Sequence, residues 1–100
     1  MEQVKIVGAQ DGVLKIALSG DIDLGNAEEF YQTVIGAYEN THLEFDCTHL
    51  NFIDSTTLGT FVKILKTVKS QGKTLKLVGL QSKIKKLFLI CSLDSVMEIA

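Results

Sequence analysis

The sequence predicts a single α/β domain in which helices cover mainly one face of a mixed β-sheet. Its length of 100 residues is enough for one domain with one modest core, so residues 1–100 are interpreted as a single domain. Strand-like and helix-like apolar segments follow each other along the chain in the order β-β-α-β-α-β-α. Within the strands, apolar residues alternate with charged ones, which predicts that one sheet face contacts water.

Local periodicity and turn residues define the individual elements. Asp11-Gly12, a strong turn dipeptide, separates the two strands of an expected antiparallel hairpin. Asn26 is expected to cap the first helix and Ser82 the third, since short polar side chains bond free amides at helix starts. The predicted strands are Val4–Val7, Val13–Leu18, Leu43–Cys47 and Thr74–Val78, and the predicted helices are Ala27–Tyr38, Thr56–Ser70 and Ser82–Cys91. The tail Val96–Ile99 is either a short edge strand or a frayed end.

The apolar residues of the helices recur at helical spacing and predict which faces pack inward. In the third helix, Ile84, Leu87 and Phe88 are expected to face the core. Leu89 is either a local extension of that core or an exposed contact. The inward face of the second helix is predicted to consist of Leu58, Phe61, Val62, Leu65 and Val68.

Composition argues against several classes of function. The net charge is -2 and the pI is near 5.6, whereas sequence-independent nucleic-acid binding needs a strongly basic surface. No apolar run approaches the roughly 20 residues that span a bilayer. The amino terminus has neither a basic n-region nor an apolar h-region. The expectation is therefore a cytoplasmic protein that binds neither nucleic acid nor membrane.

The usual signs of catalytic or metal chemistry are weak. Strict alternation from Leu43 to Cys47 directs the Cys47 thiol into the core, which favours a buried thiol over a nucleophile. His42, Cys47 and His49 match no zinc spacing, so no metal or cofactor is expected. Ser55, His49 and Asp46 can be combined into a triad, but no oxyanion-hole glycines accompany them and Asp46 lies on the wet face. The residues alone therefore carry no specific catalytic signature.

Two loops are expected to meet where ligand sites of parallel sheets lie, at the carboxyl ends of the strands. They span Gly20–Gly25 and Thr48–Ser55. Ser55 falls where the second helix begins, so its hydroxyl either caps that helix or stands free at its tip.

The segment Phe52–Gly59 resembles a known family, the anti-sigma factor antagonists of the STAS domain. Their mark is Asp-Ser-x-Gly-Leu-Gly after a hydrophobic pair, and the segment matches it except at Thr57. The resemblance covers nearly all of the chain. Gly20–Asp23 is similar to the family's Gly-Glu/Asp-Ile/Leu-Asp turn, and Gln71–Lys73 matches the segment after the second helix. Lys86–Phe88 is similar to the family's Arg-Leu-Phe. Leu93 matches the leucine of a later Gly-Leu, in which Ser92 replaces the glycine.

The resemblance implies a switch controlled by phosphorylation and not an enzyme. A partner anti-sigma factor with serine kinase activity would phosphorylate Ser55, and a serine phosphatase would reset it. Unphosphorylated, the protein would bind that anti-sigma factor and thereby release a sigma factor. It is expected to be a monomer. The residues expected at the partner-facing edge are Asp21, Asp23, Asp54, Thr56 and Thr57, with both threonines as rival acceptors.

Thr57 occupies the position where the sequence departs from the family. Its side chain is expected at the tip of the docking surface, where it would tune the choice of partner. On that expectation, replacement by the family's glycine should change the melting temperature little.

Two further interpretations stay open. The chain could be a non-phosphorylated STAS accessory subunit of a lipid-transport complex or a scaffold in a stress-sensing assembly; a small hydrolase using Ser55 ranks last. A neighbouring gene for a GHKL-type kinase would favour the switch, and neighbouring transporter genes would favour the accessory subunit.

Lysines along the second helix form either a solvated face or an electrostatic guide for an acidic partner. They are Lys63, Lys66, Lys69 and Lys73.

Overall fold

The computed structural model describes all 100 residues and confirms the predicted order of elements. The strands are β1 (Val4–Gln10), β2 (Val13–Ile22), β3 (His42–Ile53), β4 (Leu75–Val78) and β5 (Glu98–Ile99), and the helices are α1 (Ala27–Ala37), α2 (Ser55–Ser70) and α3 (Ser82–Ile90), with a 3-10 turn at Leu93–Ser95. None of these helices combines the length and the apolar character that crossing a membrane requires.

The five strands form one sheet in the order β1-β2-β3-β4-β5. β1 and β2 are antiparallel, and the predicted turn joins them: Asp11 and Gly12 both have positive φ, 55° and 78°, the geometry of a tight two-residue hairpin. The other neighbouring strands are parallel. The tail is an edge strand, since β5 pairs with β4 and the Lys76 ammonium lies 3.3 Å from the Glu98 carboxylate.

The sheet buries one face and leaves the other largely exposed, as the alternation predicts. Ile16 and Phe45 are fully buried, whereas Lys15 and Asp46 are exposed. Cys47 lies on the buried face, which confirms its expected direction, and burial raises the pKa of its thiol to about 12. The thiol therefore stays protonated at neutral pH and is a poor nucleophile.

Four phenylalanine rings form the centre of the core, one from each helix and one from β3. Phe61 of α2 contacts the other three, with ring centroids 5.2 Å from Phe30, 5.4 Å from Phe45 and 5.3 Å from Phe88. All four side chains are fully buried. The three helices are thus packed against the same strand.

β2 and β3 run further than predicted, so most of the two expected loops is strand. The pairing of these strands shifts register between Ala17 and Ser19 and again between Gly20 and Asp21. Each shift interrupts the alternation of side chains between the faces while the backbone pairing continues. The sequence pattern therefore stops before the strands do.

The expected helix caps and one helix face are wrong in detail. Asn26 and Gln81 occupy the cap positions of α1 and α3, and neither side chain bonds the helix it precedes, while Ser82 is the first residue of α3. Leu87 is 39% exposed and Leu89 is 43% exposed. Helical spacing places Leu87 beside the buried Phe88, but α3 is short and lies at the flank of the helical layer, where one side of the expected apolar face has no neighbour. In α2 the predicted Leu58 and Val62 are only half-buried, and the buried residues are Thr57, Thr60, Phe61, Ile64, Leu65 and Val68.

Candidate functional site

The carboxyl ends of β2 and β3 lie side by side, as predicted, and form the edge from which α1 and α2 start. Ile22 is paired with Ile53, the last residue of each strand. The chain continues into α1 through a short turn after Ile22 and into α2 through Asp54 after Ile53. The two predicted segments are therefore brought together at one place.

The Asp54 carboxylate links the two segments. One oxygen, Oδ1, accepts the backbone amide of Thr57 at 2.9 Å, which caps the start of α2. The other oxygen, Oδ2, accepts the backbone amide of Leu24 at 2.9 Å, in the turn before α1. These bonds favour the charged form: the Thr57 amide, with the Leu24 amide and the Thr57 hydroxyl, holds the pKa of Asp54 below its usual value.

Thr57 does not lie at the tip of a docking surface, which corrects the expected position of its side chain. The side chain is fully buried. Its hydroxyl has two acceptors within reach, the Ile22 carbonyl and Asp54 Oδ1, the latter at 3.0 Å. Thr57 thus fastens α2 to the end of β2 and is inaccessible to a partner in this structure. The expectation that Thr57→Gly changes the melting temperature little assumed an exposed side chain. Because Thr57 is buried and its hydroxyl is bonded, the substitution should instead lower stability.

The turn between β2 and α1 is held by its own hydrogen bonds. Asn26 Oδ1 accepts the backbone amide of Asp23 at 2.8 Å, and its Nδ2 donates to the Asp21 carbonyl at 3.0 Å. One carboxylate oxygen of Asp23 accepts the Gly25 amide at 2.9 Å. Asn26 therefore stabilises the turn instead of the helix. Asp21 is exposed and Asp23 is half-buried, so both carboxylates contribute negative charge to this edge.

Ser55 is the first residue of α2, and its side chain is exposed. The cap position belongs to Asp54, so the Ser55 hydroxyl forms no capping bond and is free. The amides of Ser55 and Thr56 lie in the first turn, where no carbonyl of the helix can accept them. Thr56 is also exposed. An anion on Ser55 would therefore sit at a helix start with unpaired N–H donors nearby.

A cleft of about 460 Å³ begins at Thr56, next to Ser55, and lies between the first turn of α1 and the first three turns of α2. Thr56 and Gly59 of α2 line one side of it, and Leu24, 75% exposed, lies at its mouth. Lys63 borders it as well, with its ammonium 4.1 Å from the centre of the Tyr31 ring. The cleft adjoins the acidic edge, so the surface there includes apolar side chains as well as carboxylates.

The residues of the hypothetical triad, Ser55, His49 and Asp46, share no hydrogen bond with one another. The Asp46 carboxylate accepts the hydroxyl of Thr48 at 2.7 Å and its amide at 3.0 Å, and the Thr48 hydroxyl is the main cause that lowers the pKa of Asp46. His42, which belongs to the candidate zinc ligands and not to that triad, has its Nδ1 at 2.9 Å from the Thr74 hydroxyl. No group of three or more His, Cys, Asp or Glu side chains converges on a point where a metal could bind.

Comparison with known proteins connects this arrangement to one family. The family model for the STAS domain matches residues 5–100. The anti-sigma-B factor antagonist of Bacillus subtilis is 31% identical over 88 residues, which are 87% of this chain and 81% of the relative.

Solved structures show the same architecture. A Thermotoga maritima protein described as an anti-sigma factor antagonist has a TM-score of 0.83 and 27% identity, over 96% of this chain and 82% of that protein. The unphosphorylated form of the anti-sigma factor antagonist SpoIIAA has a TM-score of 0.72 and 16% identity, over 97% and 86% of the two chains. At that identity the second likeness shows the fold alone.

Removal of the Thr57 hydroxyl should weaken the fold. Thr57→Val keeps the β-branched shape and leaves the buried Ile22 carbonyl without its donor, which should cost about 1–3 kcal/mol. Thr57→Gly should cost at least as much, because it also empties the buried site and loosens the helix backbone. Thr56→Val is the matched control and should stay within about 0.5 kcal/mol of wild type. Urea unfolding measures all three, and equal midpoints for Thr57→Val and Thr56→Val would contradict the assignment.

Stability should depend on the charge of Asp54 at low pH. Because folding lowers the pKa of Asp54, its contribution is complete above the ordinary aspartate pKa of about 3.9. It disappears as the pH falls through the lower folded value. The melting temperature of Asp54→Asn should therefore lie below that of wild type at pH 7, and the two should converge on acidification. Asp11→Asn, in the hairpin turn, serves as the control. A gap between wild type and Asp54→Asn that persists undiminished at pH 2 would refute this role.

Proposed function

We propose that this chain, which belongs to the STAS domain family, is an anti-sigma factor antagonist switched by phosphorylation of Ser55. In the unphosphorylated form it binds an anti-sigma factor that is also a serine kinase, and this binding releases a sigma factor. Phosphorylation by the same kinase ends the interaction. A serine phosphatase restores the binding form.

The free, exposed hydroxyl of Ser55 is the observation that carries the proposal. It begins α2 directly after the Asp54 cap, so a kinase reaches it without unfolding the helix. Thr57, a rival acceptor in the sequence, is buried and its hydroxyl is bonded. Thr56 remains exposed and is the alternative acceptor to be tested. The curated Bacillus subtilis relative, named an anti-sigma-B factor antagonist, supports the class of partner.

The transfer needs a base that this chain does not provide. In the reaction, Ser55 Oγ forms a bond to the γ-phosphorus of ATP, the bond from that phosphorus to the bridging oxygen breaks, and ADP leaves. The hydroxyl proton must pass to an acceptor. Asp54 is the nearest carboxylate in sequence, but its lowered pKa makes it a weak base, and both of its oxygens already accept amides. The kinase therefore supplies the base, and Asp54 positions the segment that carries Ser55.

The phosphate changes charge at the edge without dismantling it. A phosphoserine adds about -1.5 to -2 charge at neutral pH. The unpaired amides and the dipole at the start of α2 compensate that charge locally. A docked partner would exclude water from the same place and leave the phosphate unscreened beside the acidic side chains already there, Asp21, Asp23 and Asp54. Repulsion between like charges in an interface costs several kcal/mol, which is enough to end binding.

Ser55→Ala should abolish phosphorylation, and Thr56→Ala should leave it intact. The assay incubates each variant with ATP and, one at a time, the purified GHKL-type anti-sigma factor kinases encoded in the native genome. Intact-mass spectrometry counts the phosphates, and peptide fragmentation locates them. Full labelling of Ser55→Ala would move the acceptor to Thr56 and contradict the proposal.

Ser55→Asp should separate binding from folding. A carboxylate in the first turn should leave the melting temperature unchanged or raise stability by about 0.3–1 kcal/mol. The same charge should weaken binding to the kinase by about tenfold or more. Ser55→Asn, similar in size and uncharged, is the control for steric effects. Titration calorimetry measures the affinities, and an affinity for Ser55→Asp equal to that of Ser55→Asn would exclude the charge mechanism.

A further inference from the structure

A second surface lies on the α3 side of Ser55. A groove of about 190 Å³ separates the end of β3 from the first turns of α3, and its walls include Phe52, Lys83 and Leu87. Phe52 is 47% exposed and Leu87 is 39% exposed. Both residues present apolar surface to water around a concave site, where an inserted apolar side chain would be covered on several sides. We call this site the α3 groove.

The charge around the α3 groove is one-sided. Helix α3 carries Lys83, Lys85 and Lys86 and contains no acidic residue. The ion pairs of the chain join Lys76 to Glu98 and the terminal amine to Glu29, so no lysine of α3 is paired. A groove lined by Lys83, with two more unpaired lysines on the same helix, complements an acidic segment.

The α3 groove is continuous with the edge that carries Ser55. Phe52 and Ile53 line it and lead directly into Asp54. Phe52 is also the register partner of Asp21 on β2. The side-chain amide of Gln81 donates to Asn51 Oδ1 at 3.2 Å and joins the start of α3 to the end of β3. A partner seated over Ser55 would therefore meet the groove without a gap.

We propose that the α3 groove is a second contact site for the anti-sigma factor and receives an apolar side chain carried on an acidic segment of that partner. This inference rests on the proposed function and adds a feature to it. The surface is then bipolar, with carboxylates at the β2–α1 turn and lysines at α3 on either side of Ser55. Because a partner must match both charges, only one orientation brings its active site onto the Ser55 hydroxyl.

Leu87 and Leu89 provide a matched test of the groove. Both are leucines on α3 with similar exposure, 39% and 43%, and Leu87 alone lines the groove. Leu87→Ala should lower the affinity for the purified kinase by roughly fivefold to tenfold, as loss of an interface anchor does. Leu89→Ala should stay within about twofold of wild type, and thermal melts should show both variants folded. Equal affinities for the two variants would overturn the groove as a contact site.

Charge reversal tests the nature of the occupant. Lys83→Glu, at the groove, should slow association with the kinase several-fold at low salt, and the difference from wild type should shrink as salt rises. Lys5→Glu, an exposed position on β1 at the far edge of the sheet, is the control. Equal association rates for the two charge reversals would show that the segment bound at the α3 groove is not acidic.

The wild-type measurements distinguish the two levels of inference. If wild type binds none of the native kinases, the proposed function itself fails. If wild type binds and Leu87→Ala binds equally well, the groove inference alone fails. Self-association that Leu87→Ala abolishes, or wild-type binding to anionic phospholipid vesicles that Leu87→Ala loses, would identify a different occupant and also overturn it.

Discussion

One aromatic cluster holds every helix of the domain to the central strand of the sheet. Phe61 of α2 contacts Phe30 of α1, Phe88 of α3 and Phe45 of β3, with ring centroids between 5.2 and 5.4 Å apart. Tilted and edge-on pairs at such distances each contribute about 0.5–1.5 kcal/mol beyond the burial of their surface. The position of α2, and with it that of Ser55, therefore depends on packing in the core. A charge added at Ser55 would therefore leave the helix in place.

Asp54 and Thr57 connect this core to the exposed edge. The Asp54 carboxylate binds amides from both the β2–α1 turn and α2, and the Thr57 hydroxyl reaches the carbonyl of Ile22. The family that the chain resembles has glycine where Thr57 stands, and glycine has no hydroxyl to make the last bond. The departure from the family motif thus adds a connection inside the domain and leaves the outer surface at Ser55 unobstructed. Fixing the loop also lowers the entropy that a partner must remove on binding.

The sequence was sufficient for the order of elements, the exposed sheet face and the convergence of two segments at one edge, because each follows from short-range periodicity. The sequence was insufficient where a hydrogen bond to a backbone group far along the chain determines where a side chain lies. Nothing near Thr57 shows that the carbonyl of Ile22, 35 residues earlier, will accept its hydroxyl. The strand ends were missed because register shifts at Ala17–Ser19 and Gly20–Asp21 interrupt the alternation. Leu87 was placed inward because helical spacing does not reveal that α3 lies at the flank of the helical layer.

If the proposed function holds, the separation of charges at the edge explains how one phosphate would control a whole interface. Carboxylates are concentrated at the turn before α1 and at Asp54, while the lysines of α3 lie beyond Phe52. In the proposed complex, a phosphate on Ser55 adds negative charge that would lose its water on docking beside Asp54, and it leaves the α3 groove unaltered. The α3 groove keeps its apolar surface and its lysines whether or not Ser55 is phosphorylated. Affinity lost at Ser55 is consequently regained once the phosphate is removed, since neither the core nor the second contact site has to be rebuilt.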